Sequence, residues 1–537
     1  MITIGRLHLR TRNLVLAGLA IGCVLAAIFL SQLTRISPHV RERIVAALSD
    51  KFDAEVELRD FQISMFPRPE IWGGGLVIRH KGRRDVPPLI AIHSFSASAG
   101  VFGLIGKPLR LRSITLDGLE LYMARDTNDP DEKEDSGMPD SPRGRLTPPA
   151  AHAAHPTPAA GKSPLVIDNI KAMNARLEIA SKKPGKLPRR FDIHELSMDD
   201  FAFDRPATFT ASFTNPKPEG RIAIEGHFGP WLKDDPRGTA IGGNYVFDHA
   251  NLDTLKGIGG TLSSRGQFDG ELERVRVSGD TETPDFRVDY AGQPVDLKTS
   301  FEAVVDGTSG DTWLMPVTAR FLQTEILASG AVVRAVDKGR IIALDIKIAK
   351  GRIEDVLKLA IKSPKAPLVG DLRVVAKMVL PPGQTGVPER IELDGRFDLV
   401  EATFTNYNVQ RRINLLSSKG KGDEDTSGRS VVSGLGGRFM LKNGVLALPD
   451  LTFRVPGAMV QLSGTYGLES EWMDFRGNLL LDSSLADTTS GYKAVLATIA
   501  QPLFRRKGGG SKLPIRVSGH RKNPSFGLDV RRALLPG

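Results

Sequence analysis

The sequence predicts a mainly β protein, in which an N-terminal transmembrane helix is followed by an elongated, twisted antiparallel β-sheet with a few short capping helices. Three observations carry this expectation. Glycine and proline number 55 and 35 in 537 residues, above their average usage of about 7% and 5%. A chain that reverses so often suits a meander, in which every strand needs a tight connection. From Glu55 onward polar and apolar residues alternate with period two, as in strands buried on one face. Lastly, one long uncharged apolar run stands near the N-terminus.

That run, residues 14–30, reads LVLAGLAIGCVLAAIFL and covers about 26 Å as a helix, close to the hydrocarbon thickness of a bilayer. Extension to residue 33 completes the span, with Leu14, Leu16, Ile21, Leu25, Ile28 and Leu30 facing lipid. Its end, Phe29-Leu30-Ser31-Gln32, lacks the small-x-small pattern of a cleaved signal peptide, which favours a retained anchor. Arg6, Arg10 and Arg12 before the span balance Arg35, Arg41 and Arg43 after it. Orientation therefore rests on the short tail and long body, which place residues 1–13 in the cytoplasm and translocate the rest. Cys23, the single cysteine, lies within the run, so no disulfide framework exists and cysteine usage is silent on compartment.

After the span, Ser37 and Pro38 read as N-cap and first-turn residues of an amphipathic helix with Val40, Ile44, Ala47 and Leu48 on one face. Strands follow. Val56 and Leu58 oppose Glu57 and Arg59, and Leu109 and Leu111 oppose Arg110 and Arg112. The same alternation marks Ile222 and Ile224, Val275 and Val277, Ile342, Leu344 and Ile346, and Ile391, Leu393, Phe397 and Leu399. A loose repeat ends apolar segments in Ser-Gly, at Gly279, Gly330, Gly464 (after Leu462-Ser463) and Gly519, where glycine suits a bend, bulge or tight turn at a strand's end. Residues 126–164, rich in Pro, Ala and charge, cannot bury enough apolar surface to fold and are expected to be a disordered insertion. A charged loop is expected at residues 419–430, and helical interruptions at residues 352–361 and 492–500.

The chemistry of an enzyme is missing from this pattern. There is no G-x-S-x-G elbow, no H-E-x-x-H and no phosphate-cradling G-x-x-x-x-G-K-[ST] loop. Ser418 to Lys421 fits S-x-x-K without its partner motifs. His194-Glu195 and Asp199-Asp200 are the nearest approach to a ligand cluster, yet their strand phases differ. Gly73 to Gly75 and the KGGGSK stretch at residues 507–512 read as mobile turns. The sequence therefore predicts a non-enzyme with no cofactor and no metal. The net charge of +10 with pI near 9.5 is compatible with anionic headgroups, for which Arg505-Arg506-Lys507 and His520-Arg521-Lys522 are candidate contacts. With 6% aromatic residues and no zinc or RNA-binding pattern, nucleic acid is not an expected partner.

Two stretches resemble the AsmA family. Near the N-terminus these are the order of anchor, amphipathic helix, Phe66-Pro67-Arg68-Pro69 and Ile114-Thr115-Leu116-Asp117-Gly118-Leu119. Toward the C-terminus they are Leu393-Asp394-Gly395-Arg396-Phe397, Ala402-Thr403-Phe404-Thr405-Asn406-Tyr407, Lys442-Asn443-Gly444-Val445-Leu446, Val455-Pro456-Gly457-Ala458, Leu462-Ser463-Gly464-Thr465-Tyr466 and Pro514-Ile515-Arg516-Val517-Ser518-Gly519. The resemblance implies an AsmA-like N-terminal β domain at 34–125, the insertion at 126–164, a central β-sheet region at 165–385 and an AsmA-like C-terminal region at 386–537. It implies an inner-membrane, single-pass protein with its body in the periplasm, supporting outer-membrane assembly and integrity. Relatives of chorein-type bridge proteins form curved sheets with an apolar groove for phospholipid. By that analogy Ile222, Ile224, Val275, Val277, Ile342, Leu344, Ile346, Ile391, Leu393, Phe397, Leu399 and Leu462 are the expected groove lining. Membrane phospholipids, and envelope or outer-membrane assembly factors, are the expected partners. The alternative is a scaffold whose apolar faces pack on each other as a closed β-sandwich and carry no lipid, since alternation is identical in both cases.

Overall fold

The computed structural model describes residues 41–42, 45–46, 49, 54–64, 70–80, 87–100, 108–123, 163, 165–179, 189–230, 232, 235–335, 339–421, 431–482 and 510–528. The protein is mainly β, and the chain packs as two units. One comprises Met1–Met138, His155–Pro216 and Arg221–Asn244, the other Pro139–Ala154, Lys217–Gly220 and Tyr245–Gly537. The expected anchor at 14–33 lies outside the described residues, as do the 126–162 part of the insertion, the helix expected at 492–500 and the clusters at 505–507. Among the described residues no helix is long and apolar enough to cross a membrane. Residues 41–42, 45–46 and 49, within the expected amphipathic segment, are helical.

In the first unit β1 (Ala54–Ser64), β2 (Glu70–His80), β3 (Ile90–Ala99) and β4 (Leu109–Met123) form an antiparallel meander. A second run, β5 (Leu165–Ile179), β6 (Arg189–Ala202) and β7 (Ala207–Pro216), is likewise antiparallel. The two runs join through a parallel ladder in which Leu109 pairs with Leu165 and Met123 with Ile179. This departs from the all-antiparallel expectation, for a topological reason. A parallel pair needs the chain to return to its starting edge, and the connection between Met123 and Leu165, of which the sequence reads 126–164 only as an insertion, makes that return. Arg110 Nε to Asp168 Oδ1 at 2.8 Å and Asn174 Nδ2 to Asp117 Oδ1 at 2.8 Å tie the two parallel strands from side chain to side chain. Gly73 and Gly75 lie inside β2 and are not turns. The Phe95 ring occupies the space of a side chain at Gly73, and Gly75 has φ +63°. The strands β8 (Glu219–Phe228) and β9 (Ala240–Asn251) carry the division between units.

The second unit opens with the two-residue β10 (Ile258–Gly259) and continues through β11 (Thr261–Glu271), β12 (Arg274–Val288), β13 (Val295–Val305), β14 (Thr312–Phe321), β15 (Thr324–Arg334) and β16 (Arg340–Arg352). Beyond these come β17 (Leu368–Leu380), β18 (Glu392–Phe404), β19 (Ser433–Lys442), β20 (Val445–Val455), β21 (Ala458–Gly467), β22 (Trp472–Leu481), β23 (Ser511–His520) and β24 (Ser525–Leu528). From β11 to β24 each strand pairs antiparallel with the next.

Among the described residues three α-helices interrupt the meander: α1 (Ile353–Ala360), the single turn α2 (Val387–Arg390) and α3 (Tyr407–Lys421). The expected helix at 352–361 corresponds to α1, whose first turn carries Glu354 and Asp355 where the helix dipole favours negative charge. Helix α3 was not legible, and Ser418 to Lys421 belong to its last turn instead of a charged loop. Asn406 caps it, with its Oδ1 accepting from Val409 N at 3.3 Å.

Candidate functional site

The repeated pairing puts one apolar row across the second unit. Val277 faces Ala303, then Leu314, Gly330, Leu344, Met378, Leu393, Leu441, Leu446, Tyr466 and Met473, each opposite the next on the neighbouring strand. Side chains directly opposite in a ladder share a face, and so do residues two apart in one strand. Ile346, Ala376 and Phe397 therefore join this face, as do Leu462, Gly477 and Ile515 through their own pairings. The row crosses β12 to β22, and its ten inter-strand spacings amount to on the order of 50 Å.

From β16 onward the opposite face is charged, whereas over β13 to β15 it carries a buried apolar cluster of Val304, Trp313, Ala331 and Val333. Arg438 bridges Asp394 at 2.9 Å, Arg516 bridges Asp474 at 3.0 Å, and Lys377 lies 3.9 Å from Asp345. The Arg438 guanidinium beside Asp394 holds that carboxyl below its ordinary value, and Arg516 does the same to Asp474. Such exposed pairs stabilise weakly, but they mark this face as the wet one.

Burial separates the middle of the apolar face from its margin. Leu344, Ile346, Met378, Leu393, Phe397, Leu462, Phe475 and Ile515 are only half-buried, whereas inward residues of a closed sandwich are covered by the opposing sheet. On this face, two clusters of fully buried apolar residues lie along one long margin. Ile348, Leu372, Leu399 and Ala402 pack there with Ile353 and Val356 of α1. Val455, Ala458 and Leu481 pack with Ile413 of α3, and Leu416 adjoins them.

Polar side chains fix both helices at this margin. Buried Asp355 accepts from Gln323 N and from Thr324 Oγ1, both at 2.9 Å. Buried Gln410 accepts from Phe404 N at 2.9 Å and donates to Val431 O and Asn414 Oδ1, each at 3.0 Å. Ser417 Oγ donates to Pro456 O at 2.6 Å.

Glycines set the bend of the face. Gly279, Gly330 and Gly464 sit within β12, β15 and β21, not at strand ends as the Ser-Gly repeat suggested. A Cβ at Gly464 would stand 2.1 Å from Asp474 O, and one at Gly477 1.7 Å from Gln461 O. Neighbouring backbones approach so closely on this side that no side chain fits. Large residues oppose these gaps, as Leu344 does Gly330 and Phe475 does Gly464.

The expected lining residues distribute as follows. Val275, Val277, Ile342, Leu344, Ile346, Leu393, Phe397 and Leu462 are half-buried on the face just described. Ile391 is half-buried too, but it caps α2, donating to Val387 O at 2.9 Å, and precedes β18. Leu399, 1% exposed, is sealed under α1 and offers no surface to a guest. Ile222 and Ile224 alternate with exposed neighbours in the first unit. Sequence reasoning missed Met378, Phe439, Phe475 and Ile515, although the alternation of their strands would have found them.

Elsewhere, the four acidic and histidine residues of the first unit do not converge. His194 Nε2 is 2.9 Å from Thr214 Oγ1, while Asp199 accepts from Asn169 at 2.6 Å. A notch of about 220 Å³ between Asn174, Arg176, Asp192 and His194 holds an ion-paired carboxylate. No metal-binding group of His, Cys, Asp and Glu occurs among the described residues. His520 and Arg521 share Glu471, at 3.5 and 2.9 Å. No protein-family profile, no curated protein and no solved structure matches this chain.

Proposed function

We propose that the apolar face of the second unit is a groove for the hydrocarbon chains of membrane phospholipids, in an AsmA-like protein anchored in the inner membrane with its body in the periplasm. In this reading the protein supports outer-membrane assembly and integrity by conducting lipid, and it is not an enzyme. The carrying observation is the apolar row from Val277 to Met473, half-buried along its middle and backed from β16 onward by a charged face. Burial returns about 0.8 kcal/mol per methylene. Because each strand presents the same kind of surface as the last, an acyl chain moving along the row keeps nearly constant free energy while its headgroup stays in water. Motion of that kind needs no catalytic group.

The test is photocrosslinking with benzoylphenylalanine in place of Phe397, and in place of Arg396 as the opposite-face control. Phospholipid attached at position 397 and absent at 396 supports the groove. Capture of protein neighbours alone at 397 would leave the scaffold reading.

A further inference from the structure

One small element stands apart from the main ladder. β10 pairs with the far end of β12, Ile258 with Val288 and Gly259 with Arg287, making a flap of residues 252–261 and 287–293 beyond Phe286, where β12 last pairs with β13. The flap is braced internally. Asp253 Oδ1 receives Arg287 Nη2 at 2.6 Å and Gly260 N at 3.2 Å, and Asp289 exchanges hydrogen bonds with Gly257.

Its tip reaches segments distant in the sheet. Gln293 Nε2 donates to Ile361 O at 2.7 Å and to Ser363 O at 2.9 Å. Lys362 Nζ stands 5.3 Å from the centroid of the Tyr290 ring. Gly257 lies against Val387, so that a Cβ built on it would be 3.4 Å from Val387 Cβ. Residues 361–363 precede β17, and Val387 follows it. A body that touches chain from both ends of one strand lies across that strand. The loop it grips also leaves α1, which packs on the apolar face through Ile353 and Val356.

We propose that this flap is a strap over the groove, and that it must lift from Ile361, Ser363 and Val387 before a hydrocarbon chain enters the section formed by β16 to β18. This rests on the groove reading. The attachments suit a reversible gate. They include two hydrogen bonds from one side chain, one cation–ring contact and one small apolar contact, with Tyr290 also within electrostatic reach of Tyr466 and Arg521, while the flap's own bracing keeps it intact when it swings.

The geometry supplies the lock. The Gly257 to Val387 separation falls just below the usual range of disulfide Cβ distances, within reach of a small shift, so Gly257→Cys with Val387→Cys, in the full chain carrying Cys23→Ser, would hold the strap shut on oxidation. Vesicles of phosphatidylethanolamine and phosphatidylglycerol with alkyne-tagged acyl chains serve as probe, read at the photocrosslinker in place of Phe397. The expected result is lipid capture in the reduced protein and about a fivefold or greater loss on oxidation, as for a competent state withdrawn from the population.

Gly257 has φ +95°, a conformation that cysteine resists, so a second arm releases the latch without touching that position. Gln293→Ala with Tyr290→Ala should raise capture about twofold or more over the parent protein as the open state gains population. Equal capture in oxidised and reduced forms, or no gain in the latch variant, overturns the strap while leaving the groove standing. No lipid captured by the parent protein defeats the groove and the strap with it.

Discussion

Replacing Gly477 by alanine tests whether the bend of the groove is built from glycine. In an ordinary strand the change is favourable, because alanine narrows the unfolded ensemble by about 0.4–1 kcal/mol. Gly477 has no positive φ to protect it. Its obstacle is space: the new Cβ would stand 1.7 Å from Gln461 O, 2.8 Å from Gln461 C and 2.9 Å from Leu462 Cα. These are backbone atoms of β21 and cannot rotate aside, so the strands must part. Overpacking of this kind costs about 1–3 kcal/mol, and a weakened ladder hydrogen bond about 1 more. The net expectation is a loss of about 2 kcal/mol. Gly434→Ala is the control, since its only neighbour within 4 Å is Leu399 O at 3.9 Å, and it should stabilise slightly. Hydrogen exchange of peptides from β21 to β23 reads the difference, with about thirtyfold faster exchange in the Gly477→Ala protein than in its parent. Similar exchange in the two variants would refute the close-approach argument.

Asp355→Ala leaves Gln323 N and the Thr324 hydroxyl without their shared acceptor and should destabilise by about 2–4 kcal/mol, seen as faster amide exchange at Gln323 and loss of protection in α1. Gln410→Ala strands Phe404 N and Val431 O; a loss of about 2 kcal/mol and undocking of α3 to protease are expected. On the outer face, Arg438→Ala should leave stability near neutral pH almost unchanged, because the pair is solvent-screened. Its signature lies in acid. Arg438 depresses the Asp394 pKa below 3.8, so this pair's contribution is present above that value and is lost as pH falls through the lowered one. Acid unfolding of the variant should therefore show a shallower pH dependence below about pH 4 than the parent, while the difference in stability between the two stays constant between pH 5 and 7.

The alternation at Ile342, Leu344 and Ile346, and at Leu393 and Phe397, was legible because a strand with one wet face writes its pleat directly into the chain. Helix α1 was legible for a related reason, its span being closed by Ser363-Pro364. Helix α3 was hidden because its inward side mixes Ile413 and Leu416 with Gln410 and Ser417, which blurs a helical hydrophobic stripe. The Ser-Gly repeat was visible, but sequence cannot distinguish a glycine that ends a strand from one, like Gly464, that lets two backbones approach. Pairing direction was invisible too, since Leu109 and Leu165 carry no sign of whether their strands run together or opposed. The strap depends on Gln293 meeting Ile361 and on Gly257 meeting Val387, contacts made across the folded sheet that no local pattern encodes.

The parallel union of β4 and β5 has a consequence for assembly. The first unit contains two locally wired blocks, β1–β4 and β5–β7, whose shared seam is made only after the chain between Met123 and Leu165 has come back to it. Severing the chain there would break no rung of that seam, and the pieces should associate by fragment complementation. Apart, each piece would present a fifteen-residue strand edge, Leu109–Met123 or Leu165–Ile179, with unpaired backbone groups open to any foreign strand.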